Sequence, residues 1–250
     1  MNRQKKKTVS LVRESTQSTT NNELARAEPV PRQRTRRMSK AEIAYELLEE
    51  AIVMLQLSPG SIVAEQELSE LTGIGRTPIR EAIQRLSREG LIVVLPKRGL
   101  LVTPLDLLSH IKLLEARRSF EQQACRYAAM RSTAKERQQF AAFAVSFRDC
   151  ADKKEAMAFS RVDKDFNELC LSAARNPFVE GAMRLLLGLS RRFWHFYQQD
   201  VDDWYETAML HALLAEAIAD GDVAEVERRL TELLDVVEGF AKNILNFPER

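Results

Sequence analysis

The sequence contains little cysteine, little glycine and no long apolar run. It has three cysteines and nine glycines in 250 residues. Cys125, Cys150 and Cys170 are odd in number and have neither metal-binding nor redox spacing, which excludes a disulfide framework and predicts buried, reduced thiols. No segment approaches the roughly 20 apolar residues that span a bilayer, and the first residues lack the apolar part of a secretory signal. These absences favour a cytoplasmic protein with no membrane partner.

The sequence also lacks an overall excess of charge. The net charge is +1, so any attraction to nucleic acid has to come from a local basic surface. Residues 1–40 contain eleven Lys and Arg against three acidic residues, a net +8, which leaves −7 for the rest of the chain. Residues 1–38 are poor in aliphatic side chains, which predicts a disordered basic arm. The arm is either a solubilising tail or a source of non-specific attraction to phosphate.

The stretch from residue 64 to residue 102 alternates helix and turn signals. The predicted elements are, in chain order, a helix, a turn, a second helix and two strands, at 65–71, 72–75, 77–88, 91–95 and 100–102. Leu68 and Leu71 share one side of the first helix, and Gly90 ends the second. The strands are joined by the basic turn Pro96-Lys97-Arg98-Gly99. This order of elements is typical of a winged helix-turn-helix.

The second helix of this stretch has an apolar face and a polar face. The apolar face is expected to pack inward through Ile79, Ala82, Ile83 and Leu86. On the polar face, Arg side chains can make two hydrogen bonds to guanine in the major groove, and Gln can do so to adenine. The helix residues predicted to contact DNA are Arg76, Thr77, Arg80 and Gln84. The alternative is an ordinary amphipathic helix with a solvated charged face.

Ahead of this stretch, the sequence predicts one more helix and a short strand. Ser39 has the position of an N-cap with Glu42 three residues later, which is the spacing of a capping box. The helix runs to about residue 55 and is expected to pack on the helix-turn-helix through Ile43, Leu47, Ala51 and Met54. Ile62 and Val63 are expected to pair with the wing. The first folded domain therefore extends over 39–104.

Beyond Pro104 the pattern is helical throughout. Pro104 disfavours helix at the residue before it, which marks the junction. Six helices are predicted between residues 105 and 247, at 106–131, 134–149, 154–174, 177–198, 201–220 and 223–246. No strand pattern competes with them, so this region is predicted to be an all-α bundle with its own core. The fold class is mainly α, a winged helix-turn-helix followed by a helical bundle.

Short motifs of the first domain occur in a fixed order. They are Leu57-Ser58-Pro59-Gly60, Glu65-x-Glu67-Leu68, Gly73-Ile74-Gly75-Arg76-Thr77-Pro78-Ile79-Arg80-Glu81-Ala82, Leu86-x-x-Glu89-Gly90-Leu91 and Arg98-Gly99-x-x-Val102. With them, residues 44–104 resemble the DNA-binding domain of the GntR family of bacterial transcriptional regulators. In that family, the residues matching Arg76 and Arg80 contact bases, and the wing tip enters the minor groove. The resemblance implies operator DNA as a partner of a homodimer, with further contacts from Gln66, Lys97, Arg98 and Gly99.

A second set of spaced residues lies in the helical region. It comprises Glu115-x-Arg117-x-x-Phe120-Glu121, Asp163-x-x-Phe166-Asn167, Asn176-Pro177, and His211 followed by Ile218-x-x-Gly221-Asp222. These motifs make residues 106–235 similar to the FCD domain, an effector-binding bundle found behind many GntR-type domains. Many FCD domains hold a divalent metal through one Asp and three His, and the metal holds a small carboxylate. Here Asp163 and His211 match two of these ligands, whereas Asn167 and Leu233 replace the other two His.

The resemblance implies a small-molecule effector but leaves two forms of its site open. In one form, Asp163 and His211 still hold a divalent metal such as Zn, with His195 as an additional ligand from another helix. In the other form, the pocket is metal-free and binds the effector through Arg117, Asp163, Asn167 and His211. The simpler alternative for Arg117 is an ion pair with Glu121, four residues later on the same helix.

Two further features of the helical region have simple structural explanations. Basic and aromatic residues alternate within 191–197, as they do in some nucleic-acid-binding surfaces. At helical spacing, Phe193, Phe196 and Tyr197 are instead expected to form a core or a pocket wall. His110 is expected at the surface or in the linker.

These features favour a transcriptional repressor whose operator affinity depends on a small carboxylate metabolite bound in the helical domain. One other hypothesis is a constitutive DNA-binding dimer whose helical half has lost effector sensing. Another is an enzyme centred on Asp163 and His211, although the sequence specifies neither a nucleophile nor an acid–base pair. No catalytic residue is therefore assigned.

Overall fold

The computed structural model describes residues 38–197 and 205–245. The predicted basic arm, 1–38, lies outside the described residues except for Met38. The described residues form nine helices and three strands: α1 Lys40–Val53, β1 Ile62–Val63, α2 Glu65–Thr72, α3 Arg76–Arg88, β2 Ile92–Leu95, β3 Gly99–Val102, α4 Leu107–Arg131, α5 Ala134–Lys153, α6 Ala156–Ala174, α7 Pro177–Tyr197, α8 Tyr205–Asp220 and α9 Val223–Leu245. This order confirms the predicted fold class. Across both described ranges, every helix is too short or too polar to span a bilayer.

The N-terminal domain begins with a capped helix and ends with a three-stranded sheet. The Ser39 hydroxyl accepts a hydrogen bond from the Glu42 N–H at 3.1 Å, and the Glu42 carboxylate accepts one from the Ser39 N–H at 2.7 Å. This pair is the predicted capping box. The strands are antiparallel in the order β1-β3-β2, and Ile62 pairs with Leu101. The short strand before the helix-turn-helix is therefore confirmed.

The face of α1 that packs on the core differs in part from the predicted face. Ala51 is buried as predicted, but Ile43 and Leu47 are 39% and 45% exposed. The residues of α1 that are fully buried lie one position later, at Ala44, Leu48 and Ile52. One position is about 100° of rotation, and both rows are apolar, so apolar spacing alone does not choose between them. Leu71, predicted on the same side of α2 as the buried Leu68, is likewise exposed.

The helical domain folds around aromatic side chains from α5 and α6. Phe140, Phe147 and Phe166 are almost fully buried, and Phe166 makes edge-to-face contacts with both of the others. The helix starts predicted at 134 and 223 are confirmed. Thr133 and Asp222 are the N-caps, because each side chain accepts a hydrogen bond from a backbone N–H three residues later. The three cysteines are buried and free, as predicted.

The two domains touch where α1 and the end of α3 meet α7. Leu189 of α7 packs against the core of the N-terminal domain. Gly188 lets the α7 backbone approach closely, since a Cβ at this position would meet Leu91 Cδ1 at 3.1 Å. The N-terminal domain and the helical bundle therefore share a packed boundary.

Candidate functional site

The exposed face of α3 carries the side chains predicted to contact DNA. Arg76, Thr77, Arg80 and Gln84 are exposed. The opposite face is buried through the predicted residues Ile79, Ala82, Ile83 and Leu86. The helix is thus held by its apolar face while its polar face is available to a large ligand. Which bases or phosphates these four residues contact stays a prediction.

Two of the predicted DNA contacts are engaged within the protein. Arg80 Nε donates to Glu65 Oε2 at 2.8 Å, and the two side chains are 64% and 40% exposed. Gln66 Nε2 donates to Glu70 Oε1 at 2.9 Å on the same face of α2. Exposed pairs of this kind are weak, so DNA phosphates or base edges can replace these interactions.

The wing tip places two basic side chains at the end of the β2–β3 hairpin. Lys97 and Arg98 are exposed, and the Arg98 N–H donates to the Leu95 carbonyl at 3.0 Å. Gly99 has φ +110°, and a Cβ built on it would lie 2.9 Å from the Val63 carbonyl oxygen. Gly99 therefore shapes the tip, because a side chain would clash with the backbone of β1.

Gly99→Ala is expected to destabilise the N-terminal domain by roughly 1–3 kcal/mol, the cost of a strained backbone residue. The reason is the positive φ combined with the contact at the Val63 carbonyl. Thermal unfolding and operator affinity would both report the change. Gly239→Ala in α9 is the control, because nothing lies within 4 Å of its Cβ and the helix gains stability from Ala. Equal stability of the two variants would contradict the role of Gly99.

A cavity of about 50 Å³ lies inside the helical domain. Its walls combine aromatic rings with buried polar groups. The polar side chains in the wall are His110, Arg117, Ser160, Asp163, Ser190, Arg191, Thr207 and His211. A small cavity lined by several hydrogen-bonding groups suits a few waters or a small polar molecule better than an apolar one.

Asp163 and His211 meet at this cavity as predicted. Asp163 Oδ1 lies 3.3 Å from His211 Nε2. His211 Nδ1 donates to the Thr207 carbonyl at 2.7 Å, which places a proton on that nitrogen. Burial raises the pKa of Asp163, but the hydrogen bond from His211 and the charges of Arg117 and Arg191 outweigh it and hold the pKa below its usual value.

Asn167 occupies a different place from the other predicted effector residues. Its side-chain amide donates to the backbone carbonyl and to the carboxylate of Asp163, both at 2.8 Å. Asn167 lines an outer groove between the two domains and not the inner cavity. It therefore orients Asp163, and its contact with an effector stays a prediction.

Arg117 forms the ion pair that was the simpler explanation for its presence. Its guanidinium donates twice to Glu121, at 2.7 and 2.9 Å, and once to the Ser190 hydroxyl at 2.7 Å. Both charged side chains are buried. Burial lowers the pKa of Arg117, but Glu121 outweighs this effect and raises it. Because Arg117 also lines the cavity, the ion pair does not exclude a role in binding.

The sequence did not predict the role of Arg191, which lines the same cavity as Arg117. Its guanidinium donates to Glu49, a buried carboxylate of α1. Lys164 of α6 donates to the second oxygen of Glu49 at 2.9 Å. The only signal in the sequence was a pair of adjacent arginines within the apolar helix α7, and their partners lie far away along the chain.

The expected position of His110 is wrong. His110 is only 6% exposed, and its ring stacks on Phe193 with the ring centroids 3.6 Å apart. Phe193 forms the predicted pocket wall, whereas Phe196 is 45% exposed and does not. Burial, with a smaller effect of the Arg117 charge, lowers the pKa of His110 to about 3. His110 is therefore a neutral aromatic part of the wall.

His110 is expected to make stability depend on pH. The folded pKa of about 3 lies below the ordinary value of 6.5, so its contribution is complete above pH 6.5 and is lost as the pH falls toward 3. Linkage predicts a loss of about 2 kcal/mol between pH 7.5 and pH 5 relative to His110→Phe, which keeps the stacked ring but does not titrate. Chemical denaturation of both proteins at the two pH values measures this difference. Parallel pH profiles would contradict it.

The cavity does not fit the four-ligand metal site that the family resemblance implies. Asp163 and His211 converge, but the other two matching positions are the Asn167 amide, directed at Asp163, and the buried side chain of Leu233. Throughout 38–197 and 205–245, no group of three or more His, Cys, Asp or Glu could hold a metal ion. Two protein ligands are too few for a stable transition-metal site.

Comparisons with known protein families match both domains. The model of the family described as bacterial regulatory proteins, gntR family, matches residues 40–102. The model of the FCD domain matches residues 112–236, which is half of the chain. The two matches correspond to the winged helix-turn-helix and to the helical bundle.

Individual proteins give the same result. A helix-turn-helix transcriptional regulator from an unstable DNA locus of Streptomyces ambofaciens is 40% identical over 62 residues, 25% of this chain and 26% of that protein. The transcriptional repressor RspR of Escherichia coli K12 is 24% identical over 200 residues, 80% of this chain and 88% of that protein. The solved structure of Escherichia coli McbR/YncC has a TM-score of 0.73 at 17% identity and covers 84% of this chain and 100% of its own. At that identity, the last comparison shows the fold alone.

Proposed function

The chain belongs to the GntR family of bacterial transcriptional regulators and carries an FCD domain, and we propose that it is a homodimeric repressor controlled by a small acidic metabolite. As a member of this family it is a DNA-binding transcriptional regulator. The features that we propose beyond this are a small-molecule effector, a homodimer and repression of transcription. Its DNA contacts are Arg76, Arg80 and Gln84 on α3, with Lys97 and Arg98 on the wing.

The polar wall of the inner cavity carries the proposal of an effector. Arg117 and Arg191 supply two guanidinium groups to a buried space, and Ser160, Ser190 and His211 surround it with hydrogen-bonding groups. Guanidinium groups bind carboxylates and phosphates through paired hydrogen bonds. A small molecule with an acidic group is therefore the effector that this wall favours.

Repression and dimerisation have separate support. RspR is named a repressor, and it matches this chain over 200 residues. A dimer would place two recognition helices on the two halves of a symmetric operator. Several large apolar side chains of the helical domain are exposed, including Leu108 and Phe178 at 61% and 87%, which favours a further protein contact.

A constitutive DNA-binding dimer is the second candidate. The cavity holds only about 50 Å³, and the guanidinium groups in its wall already have carboxylates beside them. An effector would have to enlarge this space and replace some of these contacts. In this candidate, the helical domain serves only to hold the dimer together. The enzyme hypothesis has less support, because both ring nitrogens of His211 are already engaged.

Thermal unfolding in a series of small carboxylates and phosphate would separate the two candidates. We expect at least one compound to raise the unfolding temperature and to change operator affinity at the same concentration. The link follows because a ligand that stabilises one arrangement of the domains also shifts DNA binding. No effect of any compound on either quantity would favour the constitutive dimer.

We also propose that the effector site works without a metal ion. Elemental analysis of the purified protein is expected to show much less than one Zn or other divalent ion per chain. His211→Ala is the control, because it removes the imidazole that a metal would need. About one ion per chain in the natural protein, lost in His211→Ala, would contradict the proposal.

A further inference from the structure

Arg191 separates two spaces in the molecule. On one side is the inner cavity of about 50 Å³, and on the other is an outer groove of about 530 Å³ between the two domains. Arg191 lines both. Glu49 lines the outer groove and reaches Arg191 from that side. A single guanidinium is thus placed between the effector cavity and a side chain of the DNA-binding domain.

The contact between Glu49 and Arg191 crosses the domain boundary. Glu49 belongs to α1, whereas Arg191 and Lys164 belong to the helical domain. The Glu49 side chain is only 4% exposed and is held by both cations. Burial raises its pKa, but the charges of Arg191 and Lys164 outweigh this effect and lower it, so Glu49 is ionised. An ionised carboxylate at this depth depends on its two cations.

The cations around the cavity and its outer wall already have carboxylate partners. Arg117 is paired with Glu121, and Lys164 and Arg191 are both paired with Glu49. An anion that binds one of these guanidinium groups must bring a proton with it or displace a carboxylate. Neither guanidinium in the cavity wall is therefore free for an acidic effector.

Glu49 is the carboxylate that can leave most easily. Glu121 is held by Arg117 through two hydrogen bonds within one helix, and Asp163 is held by Asn167 and His211 within the bundle. Glu49 belongs to the other domain and borders the wide outer groove. When Glu49 moves away from Arg191, it can still bind Lys164 and solvent in the groove.

The next residue, Arg192, connects the same turn of α7 to the end of α3 through hydrogen bonds. It donates to the Thr103 carbonyl at 2.9 Å and to the Thr103 hydroxyl at 3.0 Å. The Thr103 hydroxyl in turn donates to the carbonyl of Gly90, which terminates α3, at 2.8 Å. A movement of this turn of α7 would therefore be transmitted to both α1 and α3.

We propose that an anion in the inner cavity competes with Glu49 for the guanidinium of Arg191, so that filling the cavity breaks the contact between α1 and α7. This inference rests on the proposed function and deepens it. It assigns to Arg191 the role of coupling effector binding to the DNA-binding domain. It also specifies the effector as a molecule whose acidic group reaches Arg191.

The test compares anion binding in the unsubstituted protein and in three variants, two at Glu49 and one at Glu46. Inorganic phosphate is the probe, and the fluorescence of Trp194, which lines the cavity, reports binding. Trp204→Phe is included throughout, so that Trp194 is the remaining one of the two tryptophans. Glu49→Gln removes the competing charge, and Glu49→Asp keeps the charge but shortens the side chain by one methylene. Glu46→Gln is the matched control, because Glu46 lies on α1 at 3.6 Å from Lys164 and is half exposed.

Competition predicts that Glu49→Gln and Glu49→Asp both bind phosphate about tenfold more tightly than the unsubstituted residue, from the loss of a charged hydrogen bond. Glu46→Gln is expected to stay within about twofold, as exposed pairs do. Competition is overturned if Glu49→Gln binds no more tightly, including the case in which neither protein binds. It is also overturned if only Glu49→Gln gains affinity, since a long-range effect of charge would then suffice.

Measuring operator affinity distinguishes a failure of this inference from a failure of the proposed function on which it rests. Saturating phosphate is expected to change the operator affinity of the unsubstituted protein. Without phosphate, Glu49→Gln is expected to have the operator affinity that the unsubstituted protein reaches with phosphate. Tighter phosphate binding by both Glu49 variants, with operator affinity unchanged by phosphate, would support the competition and refute an effector-controlled regulator. An effect of phosphate on operator affinity that persists unchanged in Glu49→Gln would overturn the coupling role of Arg191.

Discussion

Arg80→Ala is expected to lower the affinity for the operator by roughly 1–3 kcal/mol, which is about five- to 150-fold. Arg80 is 64% exposed on the polar face of α3, and its guanidinium donates to the carboxylate of Glu65, which is 40% exposed. On DNA, the same group can make two hydrogen bonds to a guanine. Fluorescence anisotropy with operator and unrelated duplexes measures the loss and shows whether it is specific. Unchanged operator affinity would remove Arg80 from the interface.

Glu65→Gln is the matched control for that prediction. It breaks the same ion pair from the other side and leaves the guanidinium of Arg80 free. Operator affinity should therefore be kept or rise by no more than about fivefold, the range of an exposed pair. A loss as large as that of Arg80→Ala would mean that the ion pair, and not a DNA contact, is what the operator requires.

Arg117→Ala is expected to lower the free energy of unfolding by about 3–5 kcal/mol, because it leaves a buried carboxylate without a cation. Glu121 is 4% exposed, and both hydrogen bonds of its ion pair come from Arg117. Denaturant unfolding measures the loss. Arg126→Ala on the same helix is the control, since Arg126 and Glu227 are about half exposed and are 3.2 Å apart. The control should change stability by less than about 1 kcal/mol.

A double variant distinguishes the two roles of Arg117. Arg117→Leu with Glu121→Leu removes the pair without leaving a buried charge, so stability should largely return. If Arg117 binds the effector, this folded protein will still bind the operator but will no longer respond to small anions. A response equal to that of the natural protein would reduce Arg117 to the structural ion pair with Glu121.

Local signals in the sequence predicted where the elements begin and end. The capping box at Ser39 and the helix stop at Gly90 involve residues no more than a few positions apart, so their chemistry is readable from the chain. The buried face of α1 was not readable in this way. Ile43 and Leu47 form one apolar row and Ala44 and Leu48 another, and the positions of the helices packed on α1 decide which row is covered.

The sequence predicted the candidate site only at residues that belong to the family motifs. Asp163 and His211 meet as expected. The contact of Glu49 with Arg191 joins residues 142 positions apart, and His110 is buried by Phe193 from another helix. Contacts of this kind depend on how helices pack, which apolar spacing does not specify. The position of Asn167 outside the inner cavity has the same cause.

We propose that α3 and the wing together bind an operator with two-fold symmetry. The most direct test is selection of binding sites from a pool of random DNA duplexes, followed by sequencing of the bound fraction. We predict enrichment of one short sequence with two-fold symmetry, and loss of that enrichment when Arg76 and Arg80 are both replaced by Ala. No enrichment above the starting pool, or the same enriched sequence from the substituted protein, would contradict the claim.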